Sequence, residues 1–505
     1  MLNNIADVSF YGGVGFGCFW VLRALYRLSP FHPLAKIPGP RLAAMTTWYE
    51  FYFSVIQDGQ FIFKTIEWHE KYGPVVRIGP NEVHISDPTF YNTLYSKDYR
   101  FTKAKDHYRF AQQKEGGLGN TNNRTHKARR NVLDPLFSTQ SVFKLEPRIR
   151  KYVDMAMARI SRSVEKSEKE GFEINMVFRC LTVDVISEYA YSEAIGMLEN
   201  ERLNDPFFVA MDNLIGLTWV YNWTWVMQDV LMALPFGVVR RILPPDVLAV
   251  VDFQKQAEAR VISFLADPEK AKAKSTHTTV FEVLLTGNEE KGYEVPSLRA
   301  LKEEAWGFLA AGSETTAAAL SNGIYEACKV PKIQDKLYGE LLAEFPDPDA
   351  TPITYKRALQ LPYLSAFIKE TLRLPPGVPG RLPRVVPQGG ITVCGQFVPA
   401  DTTIGMSSIL QHNDPNIFKE PSKFDPDRWI RDKIPEQYFV PFGKGSRGCQ
   451  GMNLAWAELY LMYANLLRRY RFEFHKSSTL VDGWTDQFIP KREGKLRVVV
   501  VPREK

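Results

Sequence analysis

The stretch "PFGKGSRGCQGMNLAWAE", residues 441–458, sets one cysteine, Cys449, between glycine-rich turns and an amphipathic pattern that runs on to about Arg471. A helix beginning just after Cys449 aims its amide N–H groups and the positive end of its dipole at the sulfur, which favours the thiolate. Gly443, Gly445, Gly448 and Gly451 let the backbone take positive φ and approach a flat partner, and Arg447 adds a permanent cation beside the thiol. Two blander readings stand beside this one. A lone cysteine is usually a small buried apolar residue, and "GKGSRG" suggests a phosphate cradle, although the P-loop spacing GxxxxGK[ST] is absent.

The chain of 505 residues is 45% hydrophobic, enough to bury a large core, and no linker divides it. Its net charge of +6 comes from 63 basic and 57 acidic residues without long basic runs, which argues against nucleic-acid binding. Cys18, Cys180, Cys328, Cys394 and Cys449 form no CxxC pair, so zinc and dithiol chemistry lack support. A reducing compartment fits, and Cys449 is free to ligate a metal.

Residues 8–26, "VSFYGGVGFGCFWVLRALY", are apolar apart from Ser9 and Arg23 and near the length of about 20 residues that crosses a bilayer. Only Asp7 is charged before them, whereas Arg23, Arg27, Lys36 and Arg41 crowd the far end, so the positive-inside rule leaves the bulk of the chain in the cytosol. Residues 1–27 are expected as a transmembrane anchor, 28–40, with "SPFHPLAKIPGP", as a Pro-rich hinge, and 41–505 as a single domain. Gly12, Gly13, Gly15 and Gly17 favour the alternative, a buried core helix. Beyond the hinge, "PVVRIGPNEVHISD" (74–87) reads as a β-hairpin, 391–404 as a second β region and "KLRVVVV" as a strand. Residues 140–380 carry helical patterning. The layout is mainly α with a small, discontinuous β portion.

Phe442, Gly445, Arg447, Cys449 and Gly451 match the signature FxxGxRxCxG, and the chain therefore resembles the cytochrome P450 family from about residue 36 to its end. The resemblance implies a P450 fold, haem b as cofactor, Cys449 as the axial thiolate on iron, Arg447 paired with a haem propionate and Phe442 packed beside the sulfur. In "AAGSETT" (310–316), Gly312, Ser313, Thr315 and Thr316 together cost a helix about 2 kcal/mol. A small-residue packing face would explain them; the resemblance instead makes this the oxygen-binding turn. Gly312 then leaves room for dioxygen, while Glu314 and Thr315, an acid beside an alcohol, bring protons to it. In "KETLRLPP" and "FDPDRW", Glu370, Arg373 and Arg428 resemble the family's buried structural network. His126 and Arg130, four apart on one helix face, and Arg384 in "GRLPRVV" correspond to residues that meet the propionates.

The implied function is a haem-thiolate monooxygenase that inserts one oxygen atom from O2 into a small apolar molecule. Only 56 residues (505 − 449) follow Cys449, too few for a flavin domain, so an NADPH-dependent cytochrome P450 reductase is the expected partner. Lys127, Arg129 and Lys444 are candidates for its docking patch. "HEKYGPVVRIGPNEVHISDP" and "QHNDPNIFKEPSKFDPDRW" are similar to the fungal, membrane-bound, trichodiene-oxygenase-like branch of secondary metabolism, which implies the endoplasmic-reticulum membrane. A haem-thiolate isomerase or dehydratase and a non-catalytic haem sensor are the rivals; the intact "AGSETT" argues against both. Cavity walls are expected from 101–120, 205–245, Trp306 and Phe308, "GVPG" (377–380) and "DQFIP" (486–490), with Arg381 and His107 as polar exceptions. Such walls suit a cyclic terpene or lightly oxygenated terpenoid; a polyketide or aromatic substrate is the alternative.

Overall fold

A computed structural model describes residues 2–200, 205–227, 230, 234–267 and 277–503; the ends of the expected 1–27 and 41–505 segments and part of 205–245 lie outside the described residues. Among the helices of the described residues are α1 Leu2–Leu28, α2 Asn123–Leu133, α3 Thr139–Glu170, α4 Ile174–Tyr191, α5 Pro206–Gly216, α6 Pro245–Ala266, α7 Leu298–Lys329, α8 Pro362–Arg373 and α9 Met452–Arg469. Several of them start at short polar side chains that satisfy orphan amides. Asn122 accepts from the Arg124 and Thr125 amides, Ser138 from Ser141 and Ser297 from Ala300.

Nearly every residue of α4 is buried, and α4 packs along α7, the 32-residue helix at the centre of the body. The main apolar core joins α3, α4, α7, α8 and α9, with a smaller cluster under a sheet. That sheet orders β1 (Val75–Gly79), β2 (Glu82–Ile85), β8 (Thr403–Gly405), β5 (Arg384–Val385) and β3 (Thr102–Lys103), with β2 and β8 parallel. β1 and β2 are the hairpin expected at 74–87, paired with Val76 opposite His84. The region 391–404 supplies the hairpin of β6 (Ile391–Val393) and β7 (Gln396–Val398) and leads into β8. A third sheet orders β4 (Phe172–Glu173), β12 (Arg497–Pro502) and β9 (Tyr470–Phe474); β12 is the expected terminal strand. β10 (Thr485–Gln487) and β11 (Ile489–Lys491) form a last hairpin.

The amino terminus departs from expectation. Residues 2–28 are helical, yet among the described residues no helix is long and apolar enough to cross a membrane. Glycines at 13, 15 and 17 add no apolar side chain, and Arg23 lies within the stretch. Nor is the segment the buried core helix that was the alternative: Phe16, Phe19, Trp20, Val21 and Leu22 are exposed. The Pro-rich segment after Leu28 is docked: the Arg77 amide donates to the Pro38 carbonyl (2.7 Å), and its buried guanidinium donates to the Arg27 carbonyl at the end of α1 (2.9 Å).

Candidate functional site

Cys449 ends the loop that leads into α9. Its amide donates to the Phe442 carbonyl (2.8 Å) and the Gly451 amide bonds to the sulfur. Of the four nearby glycines only Gly443 and Gly445 take positive φ; Gly448 and Gly451 lie at −59° and −81°. At Gly445 a Cβ would stand 2.2 Å from the Tyr95 carbonyl oxygen, so that glycine is required by neighbouring backbone rather than by a flat partner. Phe442 packs its ring against Trp456, centroids 5.7 Å apart. The thiol opens onto an internal cavity of about 1420 Å³. Burial pushes its pKa up, opposed by the Gly451 amide and by Arg130.

Helix α7 faces the same cavity with Ala311, Gly312 and Thr315. A Cβ on Gly312 would meet Ile186 Cγ1 at 2.5 Å, so the missing side chain serves the crossing of α4 over α7 and does not of itself make the room expected for dioxygen. Thr315 Oγ1 donates to the Ala311 carbonyl (2.9 Å). Glu314 is buried and accepts from Arg179 Nε (3.0 Å) and Nη2 (2.9 Å), while the same Nη2 donates to Asp212 Oδ1 on α5 (2.8 Å). Burial pushes the Glu314 pKa up against the pull of Arg179. The sequence reading missed Arg179 and Asp212; the available signal was an arginine inside the otherwise apolar run "MVFRCLTV".

A group of cations lines one edge of the cavity. Arg447 donates to the Asn120 carbonyl (2.8 Å) and Asn123 Oδ1 (2.9 Å), and its buried Nε has no partner. Arg384 donates to Tyr108 Oη (2.9 Å) and lies opposite Lys103 in the β3–β5 pairing, a residue the sequence reading also missed. Like charges directly opposed are unfavourable without an anion between them. Burial and then Arg384 hold Lys103 well below the usual lysine range; burial and then Arg384 lower Arg447 to about 10. His126, whose Nδ1 lies 3.1 Å from Tyr99 Oη, is lowered to about 2 by burial and by Arg447, so its ring is neutral. Arg130 donates to the Gly448 carbonyl (3.3 Å) and pairs with Asp134 (2.8 Å). Among the described residues no carboxylate pairs with Lys103, Arg384 or Arg447. The donor set thus fits a dianionic flat group whose metal meets the Cys449 sulfur.

On the cysteine side, Glu370 accepts from Arg373 Nε and Nη2 (2.9 and 2.8 Å), Arg428 Nε (2.9 Å), Trp429 Nε1 (2.9 Å) and the Asp425 amide (2.9 Å), all in the interior. Other expectations fail. Arg129 is buried against Glu304 and donates to the Glu115 carbonyl, so it is no docking cation. Lys444 is half-buried on the Gln437 carbonyl; Lys127 alone of the three is exposed. Arg381 is held by Glu50 and Glu82 (both 2.6 Å), leaving nothing for a substrate carboxylate, and His107 is buried outside the cavity. All five expected wall segments reach the cavity, through Phe110, Phe208, Trp306, Val378 and Phe488 among others; residues 228–229 and 231–233 of the second lie outside the described residues.

A family model described as "Cytochrome P450" matches residues 40–496. Tryptophan 6-hydroxylase fscE of Fusarium equiseti is 35% identical over 93% of the chain and 92% of its own length. Cytochrome P450 monooxygenase sdnE of Sordaria araneosa is 35% identical (90% and 89%), and macH of Penicillium terrestre, named likewise, is 31% identical (97% and 96%).

Proposed function

Because the chain belongs to the cytochrome P450 family, a family of haem-thiolate enzymes with cysteine ligation, we propose that Cys449 is its iron ligand and that it oxygenates a bulky apolar molecule in fungal secondary metabolism. The enzyme is a monooxygenase that draws electrons from a reductase and acts on small molecules. The carrying observation is one cavity faced by the Cys449 thiol, by Thr315 with Glu314, and by cations without carboxylate partners. When bound, the haem iron supplies the activation of dioxygen. Arg447, Arg384, Lys103, Arg130 and His126 would hold its propionates, and the Gly451 amide would stabilise the sulfur's negative charge. Glu314, whose pKa burial raises against the pull of Arg179, would hold a proton near the cavity, and Thr315 Oγ1, which faces the cavity, would deliver protons there.

The cavity exceeds the roughly 300–1,000 Å³ of a single drug-sized site, which leaves space beside a haem for a second molecule. Burying about 300 Å² of hydrocarbon yields roughly 7 kcal/mol before binding costs. Cavity-facing Arg179, Glu314 and Asp212 already pair with one another, so we read the substrate as a cyclic terpene or lightly oxygenated terpenoid. The relative named as a tryptophan hydroxylase favours a second reading, an aromatic amino acid. Product analysis with NADPH and reductase, after screening both classes for a shift of the haem to high spin, tests the assignment: a shift by terpenes supports it, and a shift by aromatic amino acids alone overturns it. We further place the enzyme on the endoplasmic-reticulum membrane through residues 1–27, catalytic domain in the cytosol, on the exposed aromatic side chains of α1 and the basic residues after it. Recovery of the full-length protein in the soluble fraction would contradict that placement.

A further inference from the structure

Between His107 and Asn120 the chain runs along the cavity wall, which Gln113, Gly117 and Leu118 help to line, folds through the glycine-rich run "QKEGGLGN" (113–120) and fastens itself to α7. Gln113 is buried, and its side chain is used at both ends. Nε2 donates to the Glu303 carbonyl (2.9 Å), and Oε1 accepts from the Leu118 amide (3.2 Å). The Glu303 carboxylate, buried as well, accepts from the amides of Glu115 (2.7 Å) and Gly116 (2.8 Å). The pocket that admits the Gln113 amide exists because residue 307 is glycine: a Cβ there would lie 2.2 Å from Gln113 Nε2.

We propose that Gln113, Glu303 and Gly307 form a clasp that positions the substrate wall over the cavity and so determines which large ligands fit. The segment before the clasp carries Tyr108 and Phe110 on the cavity wall, and Phe110 packs on Phe488 with centroids 4.5 Å apart. The segment after it bonds to the cofactor-edge cations: Lys103 donates to the Leu118 carbonyl (2.6 Å) and Arg447 to the Asn120 carbonyl. A wall tied at both ends cannot be displaced without breaking these bonds, and a methyl at 307 displaces the amide that holds its middle. The inference rests on the haem reading above, since the cavity must hold cofactor and ligand together, but not on the terpenoid assignment.

Two azoles that bind haem iron separate the cases, each titrated by its Soret shift: imidazole, too small to touch the wall, and clotrimazole, whose three aryl rings are bulky enough to reach it. Gly307→Ala should weaken clotrimazole about tenfold and leave imidazole within about twofold, because a displaced wall affects only the large ligand. Gln113→Ala should do the same to a lesser degree. The double variant should match Gln113→Ala alone, since without the amide the new methyl meets nothing. Equal weakening of both azoles, unchanged clotrimazole affinity, or strictly additive effects would each overturn the clasp. Should the variants fold poorly, the wild-type enzyme still decides. Amides of Glu115, Gly116 and Leu118 should exchange hydrogen more slowly with clotrimazole bound than with imidazole bound, and identical exchange overturns the proposal. Wild-type protein that shifts with neither azole would instead refute the haem reading itself.

Discussion

At the scale of single residues, the proposed proton delivery sets a hydroxyl at the cavity surface, Thr315, beside a buried acid, Glu314. Thr315→Ala removes the last proton donor while leaving the cofactor's cations untouched. It should keep haem and ligand binding yet cut product per NADPH on the order of tenfold or more, with the lost electrons recovered as hydrogen peroxide. Unaltered coupling would exclude the hydroxyl. The same scale shows what the sequence conveyed and what it hid. The cysteine loop and the Glu370–Arg373 pair were legible because each is a fixed local spacing, whereas Arg428, 58 residues from Glu370, was placed by the family resemblance. Arg129 and Arg381 were misread, one as a surface cation and the other as a polar group of the cavity wall. Their partners, Glu304 for the first and Glu50 and Glu82 for the second, lie 175, 331 and 299 residues away, and no local pattern announces pairings of that span. Gly312 likewise owes its bareness to Ile186, on a different helix.

At the scale of elements, the cysteine loop depends on how it is held from behind. Removing one member of the buried Glu370 network leaves uncompensated charge, so Arg428→Ala should cost about 3–5 kcal/mol in chemical denaturation. A loss under 1 kcal/mol would mean the network is dispensable. His412 offers a pH test. It is fully buried, its Nε2 accepts from the Val440 amide at the head of the cysteine loop (2.9 Å), and burial, then Arg373, lowers its pKa to about 3. The folded value lies below the ordinary 6.5, so the unfolded chain binds the extra proton; stability is full above about pH 6.5 and falls as pH drops toward 3. Between pH 7 and pH 5 this histidine should contribute about 2 kcal/mol of lost stability. His412→Asn should flatten the slope by that amount, and an unchanged slope would contradict the assignment. Helices and the 74–87 hairpin were readable from periodicity, whereas the two-residue strands β3, β4 and β5 are too short for any pattern. β3 matters most among them, because its pairing with β5 sets Lys103 opposite Arg384.

At the scale of the whole molecule, a helical body and a small sheet enclose one cavity between a thiol, an acid–alcohol pair and an edge of cations. The sequence conveyed that arrangement through its motifs, but not the apolarity shortfall of α1 or the docking of its carboxyl end by Arg77, which depend on folded contacts. The central claim is that Cys449 presents a thiolate to haem iron in this cavity. Its most direct test is the carbon monoxide difference spectrum of the reduced holoprotein, wild type beside Cys449→Ala. The account predicts a thiolate-type carbon monoxide band in the wild type and its loss in the variant, with Cys18, Cys180, Cys328 and Cys394 each replaceable without effect. A band that survives Cys449→Ala, or a wild type that never shows it, would contradict the account.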